Sequence, residues 1–137
     1  MRDVSTLRFL LCRAGAARYA APIERLRLVL PAPAVTPLPG TPPSVRGVAS
    51  VRGELVTVVD ARTLLGEPDT EPGPDLVLVD LGSRLVGLAV DEVVDLVAVD
   101  DDALIPTDGG GWALRLPSGD SARVLDLDAL LTPLFPD

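Results

Sequence analysis

The residues of this chain with the widest chemical repertoire are its aspartates: Asp60, Asp80, Asp91, Asp95, Asp100, Asp101, Asp102 and Asp126. Two carboxylates held in different environments can supply the acid and the base of one reaction. Their settings argue against that use, because most stand where turns or helix caps are expected. The stretch VVDARTLLG comes nearest to a catalytic aspartate strand. An aspartic protease would follow its aspartate with Thr or Ser and then Gly, whereas here Ala61 and Arg62 follow. VDDD at 99 to 102 lacks the alternating oxygen ligands, central glycine and terminal glutamate of a calcium loop, and reads as a solvated turn. The glycines at 109 to 111 precede no helical pattern and read as a flexible hairpin entry rather than a phosphate cradle. Histidine and lysine are absent, which removes the commonest general base, the commonest transition-metal ligand, and Schiff-base and P-loop chemistry. The expectation is a protein without catalysis, cofactor or metal, with a small carboxylate-dependent enzyme as the remote alternative.

The elements that hold these residues are written twice. Residues 51–66, VRGELVTVVDARTLLG, and 117–132, PSGDSARVLDLDALLT, keep one order of events. Gly53 and Glu54 match Gly119 and Asp120, Val58 matches Val124, Asp60 matches Asp126, and Leu64 and Leu65 match Leu130 and Leu131. A glycine supplies the positive φ of a hairpin turn, an apolar run returns as a strand, and an aspartate accepts the free N–H groups of a short helix. Ala61, Leu64, Leu65 and Leu127, Leu130, Leu131 are spaced i, i+3, i+4, which predicts that each helical turn lays an apolar face on its own barrel or sheet. Chance similarity among common Val, Leu and Asp residues is the competing reading.

Around this repeat, TLRFLLCR (6–13) alternates as a strand with Leu7, Phe9 and Leu11 on one face, and Gly15 turns the chain. Residues 18–30 suit either period and are read as strand. Six prolines within 31–43 exclude both helix interior and central strand, leaving an extended connector. Residues 48–51 and 55–59 flank the Arg52-Gly53-Glu54 turn, and EPDTEPGP (67–74) forms a second loop. DLVLVDLG, RLVGLAVD and EVVDLVAVD then read as strands buried on both faces or closed into a barrel. The final hairpin brackets Pro117 to Asp120. The prediction is an all-β fold with short helices, made of two small antiparallel barrels, and closure would remove the edges that such apolar strands expose.

At 137 residues the chain has the length of one domain, with room for two half-sized lobes. A formal net charge of −8 argues against nucleic acid and anionic membrane as partners, since phosphate binding needs a basic face. All twelve basic residues are arginine, in keeping with a GC-rich genome. The lone Cys12 lies in an apolar run, which excludes a disulfide framework and fits packing in a reducing cytoplasm. The opening MRDVSTLRFLL has no signal-peptide pattern, and no apolar run approaches the roughly 20 residues of a bilayer span, so a soluble cytoplasmic protein is expected. Hydrophobic residues make up 47% and charged residues only 23%, which points to an exposed apolar interface or to a Val-rich core.

End to end, the chain resembles the CheW family of chemotaxis adaptor domains. The resemblance rests on LRFLL and RYAAPIERL, VTPLPGTPPSVRGV, SVRGELVTVVDARTLLG, LVGLAVDEVVDLVAV and VLDLDALL, and covers nearly all of 6–132. It implies one CheW-like domain over 1–137 built from two five-stranded, Src-homology-3-like barrels. It also implies a non-catalytic scaffold between chemoreceptor signalling tips and the regulatory domain of a CheA-type histidine kinase. Arg52 and Gly53 match the family's Arg-Gly turn, Pro39 its proline, Gly47 its glycine and Asp60 its aspartate. Two positions depart: Ser50 stands for a usual Asn, and Leu28 for a usual acid in the early Val-x-Glu-Ile stretch. Arg52, Gly53, Ser50, Val51 and Leu28 are therefore the candidate partner-binding residues. Leu28 shares a strand face with Leu26 and Leu30 and is expected to face outward, as the family's acid would. A divergent module that binds receptors without kinase coupling is the alternative.

Overall fold

Alternation along the first strand sends its side chains in two directions, and both directions are buried. In the computed structural model, which describes residues 6–67 and 74–135, β1 (Leu7–Ala14) points Phe9 and Leu11 into one apolar cluster and Leu10, Cys12 and Ala14 into another. The chain continues as β2 (Ala17–Pro22), β3 (Leu26–Pro31), β4 (Val45–Val51), β5 (Glu54–Asp60) and α1 (Ala61–Leu64). It then forms β6 (Asp75–Asp80), β7 (Leu85–Val90), β8 (Glu92–Val99), β9 (Leu104–Pro106), β10 (Trp112–Arg115), β11 (Ser121–Val124) and α2 (Leu127–Leu131). Among the described residues these strands make two sheets, ordered β8-β1-β2-β11-β10-β9 and β3-β6-β7-β5-β4.

That order extends the sequence repeat to the whole chain. Each half runs hairpin (β1-β2, β6-β7), departing strand (β3, β8), hairpin (β4-β5, β10-β11) and short helix. The departing strand and the second hairpin both join the sheet built around the other half's first hairpin, so each sheet combines the first hairpin of one half with the later strands of the other. Each returning strand then pairs parallel with the other half's hairpin, β5 with β7 and β11 with β2. The two-barrel, all-β architecture expected from the sequence is present, with one parallel pair in each sheet and a sixth strand, β9, in one. In the five-stranded sheet the place of β9 is taken by a single bridge, Thr36 to Val48. β8 and β9 are opposite edges of their sheet, yet only the four residues Asp100 to Ala103 join them. Four residues span at most about 14 Å, so the sheet must curl until its edges nearly meet.

Strand exchange produces three apolar clusters. One fills the six-stranded sheet (Phe9, Leu11, Ala20, Leu114), one the five-stranded sheet (Val51, Val56, Leu76, Leu78), and the largest lies between them (Leu10, Cys12, Val59, Val79, Leu88, Leu131). β6 and β7 divide their side chains between two clusters, which is why they read as unbroken apolar runs. EVVDLVAVD differs. β8 is an edge strand whose Val93, Val97 and Val99 pack on the clusters while Val94 and Leu96 are exposed. The helical turns also differ from expectation: Ala61, Leu64, Leu65, Leu127, Leu130 and Leu131 all pack on the shared layer rather than each on its own sheet.

Residues 18–30 are two strands, split by a 3-10 turn at Ile23–Arg25 where the chain crosses between sheets. Asp91 marks the equivalent crossing between β7 and β8. Both crossings are tied to a helix of the other half. Arg25 Nη2 lies 2.6 Å from Asp128 Oδ2 of α2, and Arg62 Nε of α1 lies 3.4 Å from Asp91 Oδ1. The two ties have opposite polarity. The EPDTEPGP loop falls largely on residues 68–73, outside the described residues.

Candidate partner-docking groove

The β4–β5 hairpin closes through Val51 and Glu54 with Arg52 and Gly53 at its tip, at φ of +50° and +85°. Two positive φ values match the right-handed twist of the flanking strands, and glycine adopts one without cost. Arg52 is the only described non-glycine residue in that region, which costs of order 1 kcal/mol in local strain.

Beside the tip lies an open groove of about 210 Å³ lined by Arg27, Leu28, Val51, Arg52, Glu54, Val56, Leu78 and Leu85. The structure thus brings together three of the five residues singled out from the sequence, Leu28, Val51 and Arg52. Gly53 sits at the tip, and Ser50 faces away, paired across the strands with Leu55, which is 78% exposed. Leu78, Leu85, Arg27 and Glu54 come from the sheet pairing, which no local pattern announces. The outward expectation for Leu28 is not met. Leu28 is half-buried and packs on the five-stranded sheet's cluster while still lining the groove. Leu28 shares that cluster with Leu30, Leu76 and Leu78, whereas an irregularity between Leu26 and Leu28 breaks their common face and sends Leu26 to the intersheet layer.

Charge in the groove is unevenly committed. Arg27 donates to Asp80 Oδ2 from Nε at 2.9 Å and from Nη2 at 2.6 Å. The Gly82 N–H, donating at 2.7 Å, and this guanidinium hold the Asp80 carboxyl below its usual range. Arg52 and Glu54 make no ion pair among the described residues. The groove therefore offers an apolar floor and a free guanidinium that can fork onto a carboxylate.

At the far end of β5, Asp60 caps α1 as expected, accepting from the Arg62 N–H at 3.0 Å, and Asp126 caps α2 through the Ala129 N–H at 3.1 Å. The sequence does not reveal that Asp60 is fully buried and ion-paired with Arg46 of β4 and Arg62 of α1. Asp91 extends the network by accepting from the Gly15 N–H at 2.6 Å and meeting Arg13 of β1 at 3.7 Å. Sealed from solvent and already paired, Asp60 is a structural anchor with no room for a substrate. Among the described residues no group of three or more His, Cys, Asp or Glu side chains could hold a metal ion, and no helix is long and apolar enough to cross a membrane.

A protein-family model described as CheW-like domain matches residues 8–134. The chain is 34% identical over 97 residues to a chemotaxis protein CheW of Rhizobium meliloti (strain 1021), covering 69% of this chain and 63% of that protein. It is 34% identical over 107 residues to protein FrzA of Myxococcus xanthus, covering 77% and 67%. The chain thus spans about two thirds of the length of these relatives. The crystal structure of scaffolding protein TtCheW from Thermoanaerobacter tengcongensis superposes with a TM-score of 0.82 at 17% identity, covering 90% of this chain and 91% of that one, which establishes a common fold. A strand-exchanged pair of curled sheets, an Arg-Gly hairpin tip and a family match over nearly its whole length lead to one conclusion: this chain belongs to the CheW-like family.

Proposed function

We propose that this chain is a non-catalytic cytoplasmic adaptor, acting as one domain, that couples chemoreceptor signalling tips to the regulatory domain of a CheA-type histidine kinase. Family membership supports the class of function, and it agrees with the relatives, a chemotaxis protein and a scaffolding protein. The single observation that carries the docking surface is Arg52, strained, exposed and without an ion pair at the rim of an apolar groove. Partner recognition runs through Arg52, with Leu28 and Val51 as the apolar floor and Gly53 as the turn that aims the arginine. Arg52→Glu weakens binding to one partner by about 1 to 3 kcal/mol, the size of a lost charge-assisted bond. Calorimetric titration against a receptor-tip fragment and, separately, the kinase regulatory domain measures this, with melting curves alongside. Unchanged affinity for both partners rejects the groove. A second reading, receptor binding without kinase coupling, is favoured by Leu28, which leaves the groove without the family's usual acid, and by Ser50, which stands for the usual amide on the strand's other face. Receptor-dependent kinase activation in a reconstituted mixture separates the two.

A further inference from the structure

A second groove, of about 470 Å³, opens where the crossing turn after β2 meets the β10–β11 hairpin and the start of α2. It shares no residue with the hairpin groove. Its floor is apolar, formed by Pro22 and the buried Leu125 and Leu127, and its wall is Trp112, the chain's single tryptophan, 49% exposed. The same groove is lined by Glu24, Asp126 and Asp128 against one arginine, Arg25, whose charge is spent on Asp128 at 2.6 Å. Glu24 makes no ion pair among the described residues, and Asp126 uses only Oδ1 for its helix cap. A half-exposed indole and uncompensated carboxylates lining one groove attract a cation, through the ring quadrupole and through Coulomb attraction.

We propose that this groove docks an arginine-bearing segment of a protein partner, the guanidinium lying on Trp112 with Glu24 and Asp126 beside it. One ring with an open far side suits a planar guanidinium and does not build the multi-walled cage that a quaternary ammonium requires. The apolar floor seats the side chains that flank the arginine, which a free amino acid would leave empty. Nucleic acid is excluded by the sign of the charge. The chain already uses the same contact internally: the Arg84 guanidinium lies 4.3 Å from the centroid of the Phe135 ring. The proposal does not depend on the hairpin groove, so either can fail alone.

Trp112 is also the reporter. The probe is acetyl-Gly-Leu-Arg-Val-Gly-amide, titrated in low salt, about 20 mM, where screening is weak. Expected are a saturable change in Trp112 fluorescence and an affinity that falls as salt is raised. Citrulline, which keeps the planar shape without the charge, weakens binding in place of arginine. Glu24→Gln with Asp126→Asn, which keeps the helix cap, weakens it roughly tenfold, about threefold for each charge. Circular dichroism melting verifies that the variant is folded, and Glu24→Gln alone serves if it is not. Equal affinity for the citrulline peptide overturns the proposal, as does the absence of any saturable change. A concentration-dependent emission of the protein alone, accompanied by dimer in sedimentation, also overturns it, because the occupant is then a second copy of the chain.

Discussion

Asp60 and Asp126 hold equivalent places in the two halves, each capping a short helix, yet one is buried in an ionic network and the other is exposed. Their alanine variants therefore separate a cap from a cap that is also a counter-ion. Asp126→Ala loses a cap bond, worth about 1 kcal/mol. Asp60→Ala loses the same bond and also strips the shared carboxylate from Arg46 and Arg62. Removing one partner of a buried pair costs about 3 to 5 kcal/mol. The lower end applies, since Arg62 keeps Asp91 and the Arg46 side chain retains 30% exposure through which water can reach it. The expected total is about 4 kcal/mol for Asp60→Ala, and about 3 for Asp60→Asn, which still caps but carries no charge. At about 2.1 cal/mol/K of unfolding entropy per residue, a chain of this length loses about 3.5 °C per kcal/mol. The midpoints should then fall by about 14, 10 and 3.5 °C for Asp60→Ala, Asp60→Asn and Asp126→Ala. Urea and thermal unfolding followed by circular dichroism measure all three. If Asp60→Ala and Asp126→Ala agree within about 1 kcal/mol, the network contributes nothing and the argument from burial fails.

Gly47 at φ +143° lies so close to the connector that an added Cβ would meet the Thr36 carbonyl oxygen at 2.0 Å; Gly47→Ala should cost several kcal/mol, against about 1 for Gly40→Ser, which meets open space and bears only the strain of its φ of +73°, by urea midpoint. Leu28→Glu, at a half-buried site on the core, should destabilise by about 1 to 3 kcal/mol, and a change under 0.5, as surface sites give, would contradict its packing. Burial, with a smaller push from Asp75, raises the Cys12 thiol to about 12, so a thiol reagent at pH 8 should label Cys12 only after denaturant is added. The same shift makes stability fall between about pH 9 and 12, because the unfolded thiol ionises there and the folded one does not. Tyr19, raised first by burial and then by its hydrogen bond to Glu67, acts in the same direction. A Cys12→Ala variant with an unaltered alkaline limb would show that the thiol plays no part.

The hairpin glycines and the two aspartate caps were legible in the sequence because each is fixed by local chemistry: a positive φ at the turn, and free N–H groups at a helix start. Strand exchange was not legible, since the periodicity of β3 or β8 specifies which residues share a face but not which sheet receives the strand. EVVDLVAVD has the composition of β6 and β7, yet it lies at a sheet edge with Val94 and Leu96 exposed. Asp60 was recognisable as a cap, but its burial depends on Arg46, fourteen residues earlier and on a neighbouring strand. Leu28 was placed with Leu26 by counting in twos, and one irregularity in pairing defeats that count. In the candidate site, Arg52, Val51 and Leu28 were found by motif, while Leu78 and Leu85 could emerge only from the fold.

The opposite polarity of the two crossing ties makes the halves complementary rather than interchangeable. The first half contributes arginine to both ties, Arg25 and Arg62, and the second contributes aspartate to both, Asp128 and Asp91. The bias runs through the whole sequence: residues 6–67 hold eight arginines and four carboxylates, and residues 74–135 hold three and twelve. Two copies of the first half, folded together on the same plan, would set arginine against arginine at both crossings, and two copies of the second would set aspartate against aspartate. Unlike halves are thereby favoured at both crossings. In a fold whose architecture permits either half to be exchanged with its like, these ties bias the pairing, and a chain divided between residues 67 and 74 should reassemble as a heterodimer in preference to either homodimer.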